Sequence, residues 1–190
     1  MIHKIIAEIN KSINAEVFNK ELLSRSKVYG LAEIVQYDDG KCIPAAYNLG
    51  ELSYCGLDDI YPVILYHKIY QARNPLNYDI RYTSRDYDMA MVVAVNDCTK
   101  VDYTALELAI ITSLQNITVS NITLFDTDGN SLKLHRCAIG TGASTDFNSL
   151  ALLNTDYKAQ NIFKPELRIF TIRYSVSIAF SGGCVEILCC

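Results

Sequence analysis

The chain has 190 residues, of which half are hydrophobic and a fifth are charged, and this composition excludes a disordered protein. Its length is typical of a single domain, and no linker, repeat or low-complexity tract divides it. The formal net charge of −4 argues against general affinity for nucleic acid, because lysines and arginines must neutralise the phosphates.

The N-terminal third predicts one helix and three strands. Five isoleucines at positions 2, 5, 6, 9 and 13 recur at helical spacing, so residues 2–16 should form an amphipathic helix with one buried face. Residues 31–47 predict a β-hairpin, because Asp39-Gly40 suits a turn that needs positive φ. A further strand is expected over residues 61–70, with Pro62 near its start, where a missing N–H is tolerated.

The middle third predicts a buried strand followed by a helix. Residues 71–87 are polar and tyrosine-rich, and they fit either a protruding loop or an extended hairpin. The stretch MAMVVAV (Met89–Val95) is apolar on both faces, which predicts a central strand covered on both sides. Asp102 is expected to cap a helix that runs to about residue 115. The inward face of this helix should carry Leu106, Ile110, Leu114 and Ile117.

The last third predicts a hairpin and a long strand. Residues 122–139 form two apolar runs around the turn DTDGN, and a loop with a short helix is expected over 144–155. Residues 168–180 (RIFTIRYSVSIAF) then alternate apolar and polar side chains, as a half-buried strand does. The expected core face carries Phe170, Ile172, Tyr174, Val176, Ile178 and Phe180.

Together these elements predict one α+β domain over residues 1–190. Its sheet should be mainly antiparallel, with the helices packed on one face. No stretch approaches the roughly eighteen apolar residues of a membrane span, and residues 1–17 lack the apolar core of a secretory signal.

Two polar motifs resemble ligand sites but are better explained as connections. When Asp126 is counted as position one of a calcium loop, the glycine of DTDG stands at position four instead of six. Position twelve is Cys137 instead of glutamate, so a hairpin turn is favoured over a calcium loop. The stretch GTGAST (Gly140–Thr145) matches neither a dinucleotide-binding fingerprint nor a P-loop. It is therefore predicted to be a flexible connector.

Catalytic and metal-binding patterns are not apparent in the sequence. The seven cysteines are an odd number without a C-x-x-C pair, which is typical of reduced thiols in a cytosolic setting. His3, His67 and His135 do not stand at zinc-ligand spacing from any cysteine pair. Cys98 beside Asp97 is the least implausible nucleophile, but it belongs to no local signature. We therefore expect no catalytic residue, no metal and no cofactor.

The order of the predicted elements resembles that of a family of bacteriophage proteins. An amphipathic helix (MIHKIIAEINKSI) precedes hairpin strands, and a strand, a turn and a helix follow (YDMAMVVAVNDCTKVDYTALELAIITSL). A long arginine-bearing strand comes last (DYKAQNIFKPELRIFTIRYSVSIAF). As a pattern over residues 1–180, this resembles the tail-terminator and tail-completion proteins of long-tailed phages and related head–tail neck proteins.

The resemblance implies a structural virion protein and not an enzyme. Members of the family form rings, so the expected partners are further copies of the chain and neighbouring tail or connector proteins. DNA would pass through the lumen without specific binding. The protein would be assembled in the host cytoplasm and reside in the virion tail or neck, with no membrane partner.

A ring would also give a role to the polar face of the last strand. That face carries Thr171, Arg173, Ser175 and Ser177, which are too polar for a core, so at least part of it should meet a neighbouring subunit or the lumen. Two alternatives remain open. One is a cytosolic enzyme or ligand-binding domain with a site near the 140–155 loop, and the other is a bacterial assembly or adaptor protein unrelated to viruses.

Overall fold

An eight-stranded sheet with two helices organises the protein. The computed structural model describes residues 2–19, 23–36, 42–48, 51–54, 60–73, 82–96, 100–117, 123–125, 131–145 and 168–181. In chain order the elements are α1 (Ile2–Glu16), β1 (Lys27–Gln36), β2 (Cys42–Asn48), β3 (Glu51–Tyr54), β4 (Val63–Arg73), β5 (Tyr82–Val95), α2 (Tyr103–Asn116), β6 (Thr123–Phe125), β7 (Ser131–Thr145) and β8 (Arg168–Ser181). The strand order is β3-β2-β1-β4-β5-β8-β7-β6.

The sheet is mixed but mainly antiparallel. Strands β1 and β4 run parallel to each other, and the other neighbouring strands are antiparallel. The hairpins predicted over 31–47 and 122–139 are present as β1–β2 and β6–β7. The turns of both hairpins lie outside the described residues. The predicted α+β class is confirmed.

Both helices contribute to one core on the same side of the sheet. The five isoleucines of α1 are buried, as their helical spacing predicts. Asp102 caps α2 as expected, because its carboxylate accepts from the backbone N–H groups of Thr104 and Ala105. The α2 residues in this core are Leu106, Ile110 and Leu114, and Ile117 packs against it partly buried. We call this side of the sheet the helix face and the opposite side the outer face.

Strand β5 lies in the middle of the strand order, and its second half is buried on both faces. Every side chain from Met89 to Val95 is buried, which confirms the predicted central strand. The strand is longer than predicted, because it begins at Tyr82. It pairs with β4 out to Arg73 opposite Asp86, so strands occupy both ends of the polar segment 71–87. Residues 74–81 lie outside the described part of the chain.

The long alternating strand is confirmed as β8, and it is paired along both edges within the chain. Its partner on one side is β5, from Arg168 to Ser181, and its partner on the other is β7, from Thr171 to Ser181. Five of the six predicted core residues lie in the helix-face core: Phe170, Ile172, Tyr174, Val176 and Ile178. The side chain of Phe180 is outside the described set. Most of the β8 backbone is therefore paired within the chain, so the length of the strand does not by itself require a neighbouring subunit.

Two sequence predictions need correction or completion. The segment Gly140–Thr145 is not a flexible connector, because it continues strand β7 and pairs with β8. The glycine-rich composition is untypical of a strand, so the sequence did not indicate one here. The hydrogen bonds that form the strand are made with β8. Strand β3 was not predicted, since its four residues (ELSY) are too few to show a period.

Candidate functional site

The outer face of the sheet divides into a buried half and an open half. The buried half holds a second apolar cluster of Ala32, Ala46, Ile64, Tyr66, Val92, Ala94 and Ile169. Further along the same strands the face becomes polar. Strand β4 shows the change most clearly, since residues 63–67 are buried and residues 69–73 are exposed. A functional surface on this face must therefore lie on the open half.

Strand register brings polar residues from three strands together on the open half. Ser175 of β8 stands opposite Asp88 of β5 on one side and Gly140 of β7 on the other. Ser177 similarly lies between Asp86 and Ala138. Side chains at such paired positions project from the same face, so these residues form a shared polar surface.

A groove of about 570 Å³ lies on this surface, lined among others by Tyr70, Arg73, Asp88, Gly140, Arg173 and Ser175. We call it the arginine groove. Gly140 lies close to Ser175 on this surface. A Cβ atom at position 140 would lie only 2.7 Å from the Ser175 hydroxyl oxygen. That hydroxyl donates a long hydrogen bond of 3.5 Å to the Gly140 carbonyl. Glycine is thus the residue that lets β7 and Ser175 approach without a clash.

The two arginines of the groove have different partners. The Nη2 atom of Arg73 donates to the Asp88 carboxylate at 2.6 Å, so this charge is neutralised within the protein. The guanidinium of Arg173 instead lies over the ring of Tyr70, 5.3 Å from its centroid. No carboxylate among the described residues pairs with Arg173, whose side chain is exposed. Among the described residues that line the groove, positive charges therefore outnumber negative charges by one.

Three of the four predicted interface residues lie on the open half, and one does not. Arg173 is exposed, and Ser175 and Ser177 are half-buried. Thr171 is only 2% exposed, because it belongs to the part of β8 that runs beside the buried Val92. The sequence shows that these side chains are polar, but it does not show which half of the face will be covered. Tyr70, Arg73 and Asp88 complete the surface and were not predicted, since they come from two other strands.

A buried polar network lies on the helix face beneath this region. His67 is fully buried, and its ring nitrogens lie 2.7 Å from the Tyr174 hydroxyl and 2.7 Å from the side-chain oxygen of Asn10. The amide nitrogen of Asn10 donates to the backbone carbonyl of Tyr29, which fixes the orientation of the amide. His67 Nε2 must therefore carry the proton, and Nδ1 accepts from Tyr174.

This network is built to hold neutral groups. Burial lowers the pKa of His67 to about 3 and raises the pKa of Tyr174 well above its usual range. A general base would need a pKa near the working pH and access to a substrate, and His67 has neither. The network instead joins α1 to strands β1, β4 and β8, which is a structural role.

The other candidate reactive residues form no site in the described part of the chain. Cys137 is a half-buried free thiol, and burial raises its pKa to about 11, so it stays protonated. Cys98 and Asp97 lie outside the described residues. Within the described ranges, no three His, Cys, Asp or Glu side chains are grouped so that they could hold a metal ion.

The sequence was compared with known protein families and with curated proteins. No protein-family model matches the chain, and no curated protein sequence matches it significantly. Neither α1 nor α2 is long and apolar enough to cross a membrane, and the described residues contain no other helix that is.

Proposed function

We propose that the protein is a structural subunit that assembles into a ring in the tail or head–tail connector of a bacteriophage. The element order that resembles tail-terminator and neck proteins motivates this proposal. In it the protein is not an enzyme, its main partner is a further copy of itself, and DNA passes through the lumen without specific contacts. The protein would be located in the virion after assembly in the host cytoplasm.

The open polar half of the outer face is the main structural support for this proposal. Arg173, Ser175 and Ser177 lie on a strand that β5 and β7 flank on its two edges, with a shift of the β7 register beside Arg173, so a neighbour would contact mainly side chains there. Arg173 has no carboxylate partner among the described residues, although the chain as a whole is acidic. An exposed arginine without a carboxylate partner among the described residues suits a contact surface, and the short hydroxyl side chains of Ser175 and Ser177 along the same face permit close approach.

The direct test is the mass of the purified protein in solution. Size-exclusion chromatography with light scattering, followed by native mass spectrometry, should give one closed stoichiometry well above the 21.3 kDa of the monomer. Negative-stain images of the same sample should show rings with a central channel. A monomer at all concentrations up to the highest attainable would contradict the proposal.

Reversing the charge of Arg173 tests the surface itself. Arg173→Glu should leave the melting temperature nearly unchanged, because the side chain is exposed, and should shift the mass distribution towards monomer. The comparison requires both melting temperature and mass on the same preparation. An unchanged mass would show that assembly does not use this surface.

A ligand-binding domain is the second candidate, because the arginine groove is lined by Gly140 and Thr141 at the start of the 140–155 region. One excess positive charge and a serine hydroxyl would suit a small anion. The groove is open and shallow, whereas ligand pockets usually enclose most of their ligand. A thermal-shift titration with phosphate and acetate would detect such binding, and a monomer stabilised by either anion would favour this candidate over the ring.

A further inference from the structure

The arginine groove contains a cation whose position is fixed by an aromatic ring. Tyr70 stands where the register of β4 shifts, between Ile69 and Gln71. Such bulges redirect a side chain out of the regular pleat. The ring remains 41% exposed and lies against the guanidinium of Arg173 from a strand two positions away in the sheet. A tyrosine ring on this exposed surface therefore positions an arginine.

A cation–π contact leaves the hydrogen-bond donors of arginine available. The aromatic ring attracts the positive charge of the guanidinium, whose planar edge carries the N–H donors. That planar edge matches the two oxygens of a carboxylate and forms paired hydrogen bonds with it. Arg73 is less suited to this purpose, because its Nη2 atom already donates to the Asp88 carboxylate at 2.6 Å and its charge is neutralised there. Arg73 is thus paired within the protein, whereas Arg173 has no carboxylate partner among the described residues.

We infer that the arginine groove receives an aspartate or glutamate side chain from a second copy of this chain, with Arg173 as the main binding residue. This inference rests on the proposed ring assembly and specifies its contact. The chain supplies 21 acidic against 17 basic residues, so carboxylates are the commoner charge on the approaching copy. Strands β5 and β7 flank β8 on its two edges, although the register with β7 shifts beside Arg173, so a second copy would contact this strand mainly through its side chains.

The main experiment compares two exposed arginines that lie on opposite faces of the neighbouring strands β5 and β8. Arg173→Gln removes the charge in the groove, and Arg85→Gln is the matched control. Arg85 is also exposed, but it stands opposite Ile178, whose side chain is in the helix-face core. Arg173→Gln should raise the dissociation constant for self-association by about tenfold to a hundredfold, as expected for loss of a charged hydrogen-bond pair. Arg85→Gln should leave that constant within about twofold.

Two further variants separate geometry from charge. Arg173→Lys keeps the charge but loses the planar fork, so it should weaken association less than Arg173→Gln and more than the control. Tyr70→Leu keeps the arginine but removes the ring that positions it, and it should weaken association by about threefold or more. Melting temperatures of all variants should stay close to that of the wild type, since the altered side chains are exposed.

Chemical footprinting of the wild-type protein tests the inference without any substitution. Phenylglyoxal should modify Arg173 slowly in the assembled protein and quickly in diluted monomer, whereas Arg85 should react equally in both. Equal reactivity of Arg173 in both states would overturn the inference, as would equal effects of Arg173→Gln and Arg85→Gln. In either case a stable ring would still support the proposed function. A monomeric wild type would overturn both, and protection of its Arg173 by phosphate alone would identify a small-anion site.

Discussion

Whether a polar residue of this protein is buried or exposed depends on the residues that pack around it and not on its own type. His67 and Arg173 are both basic residues of central strands, yet one is fully buried and neutral and the other is exposed and charged. His67 has two hydrogen-bond partners that compensate for its loss of water. Arg173 lies on the opposite face, where water reaches the guanidinium and the Tyr70 ring supports it.

The His67 network should make the fold sensitive to acid. The pKa of this histidine is 6.5 in the unfolded chain and about 3 in the folded protein, because burial disfavours the charged form. Between these values the unfolded state binds more protons, so stability is complete above pH 6.5 and falls as the pH decreases. The loss is about 1.4 kcal/mol per pH unit, or roughly 2 kcal/mol between pH 6.5 and 5.

Urea unfolding of the wild type and of His67→Gln at pH 7.5 and pH 5 measures this contribution. The variant should be less stable at pH 7.5 because it loses a buried hydrogen-bonded ring, but it should lose about 2 kcal/mol less than the wild type on acidification. Carboxylates elsewhere titrate equally in both proteins and cancel in the comparison. Identical acid losses would show that His67 does not carry the pH dependence.

At the scale of elements, the helix-face core and the cap of α2 both contribute to stability, and they can be tested separately. Helix α2 is capped by Asp102, whose carboxylate accepts from two backbone N–H groups at 3.0 and 3.1 Å. Strand β8 contributes alternate side chains to the core, and Ile178 is the last of these along the strand that the structure describes. The core therefore extends nearly to the end of the strand.

Removal of the α2 cap should have a measurable but modest cost. Asp102→Ala leaves two N–H groups of the first turn without their side-chain acceptor, and we expect a loss of about 1 kcal/mol in the free energy of unfolding. Asp102→Asn keeps an acceptor oxygen and should cost much less. Chemical denaturation of both variants at pH 7 makes the comparison. Equal losses would show that the charge and not the hydrogen bonds stabilises the helix.

Truncation of Ile178 tests how far the core extends along β8. Ile178→Ala removes a side chain that is only 1% exposed, and the resulting cavity should cost about 2–5 kcal/mol. The control is Ile69→Ala, since Ile69 is 37% exposed and its loss should cost about 1 kcal/mol or less. The midpoints of urea unfolding give both values. Similar midpoints for the two variants would contradict a core that reaches residue 178.

At the scale of the whole molecule, β5 connects the two halves of the sheet. Four strands lie on one side of it and three on the other, in the order β3-β2-β1-β4 and β8-β7-β6. Its residues contribute to both apolar clusters, with Val93 on the helix face and Val92 on the outer face. Disruption of this strand should therefore destroy the fold cooperatively.

A charge in the middle of β5 should unfold the protein. Val93 is fully buried, and Val93→Asp would place a carboxylate among apolar side chains without a partner. We expect loss of the near-UV circular dichroism and of dispersed amide signals in the NMR spectrum. Leu108→Asp introduces the same side chain on α2, where Leu108 is 65% exposed, and should leave both spectra unchanged. A folded Val93→Asp variant would contradict the central position of the strand.

Local patterning determined most of the elements from the sequence alone. The isoleucine spacing of α1, the cap of α2, the two-sided apolarity of Met89–Val95 and the alternation of β8 were each sufficient, because they depend only on neighbours along the chain. They also predicted which faces would be buried on the helix side. These features establish the α+β class and the direction of the core.

Contacts between distant residues were decided only in the tertiary structure. Sequence periodicity carries no information on strand pairing, so neither the parallel β1–β4 contact nor the continuation of β7 through Gly140–Thr145 was apparent. His67 and Tyr174 meet across 107 positions, and Tyr70 reaches Arg173 from a different strand. Thr171 and Arg173 share one face of one strand, yet what packs beside each position buries the first and leaves the second open. Burial depends on neighbours in space, and that is why alternation identified the two faces of β8 but not which part of the polar face remains exposed.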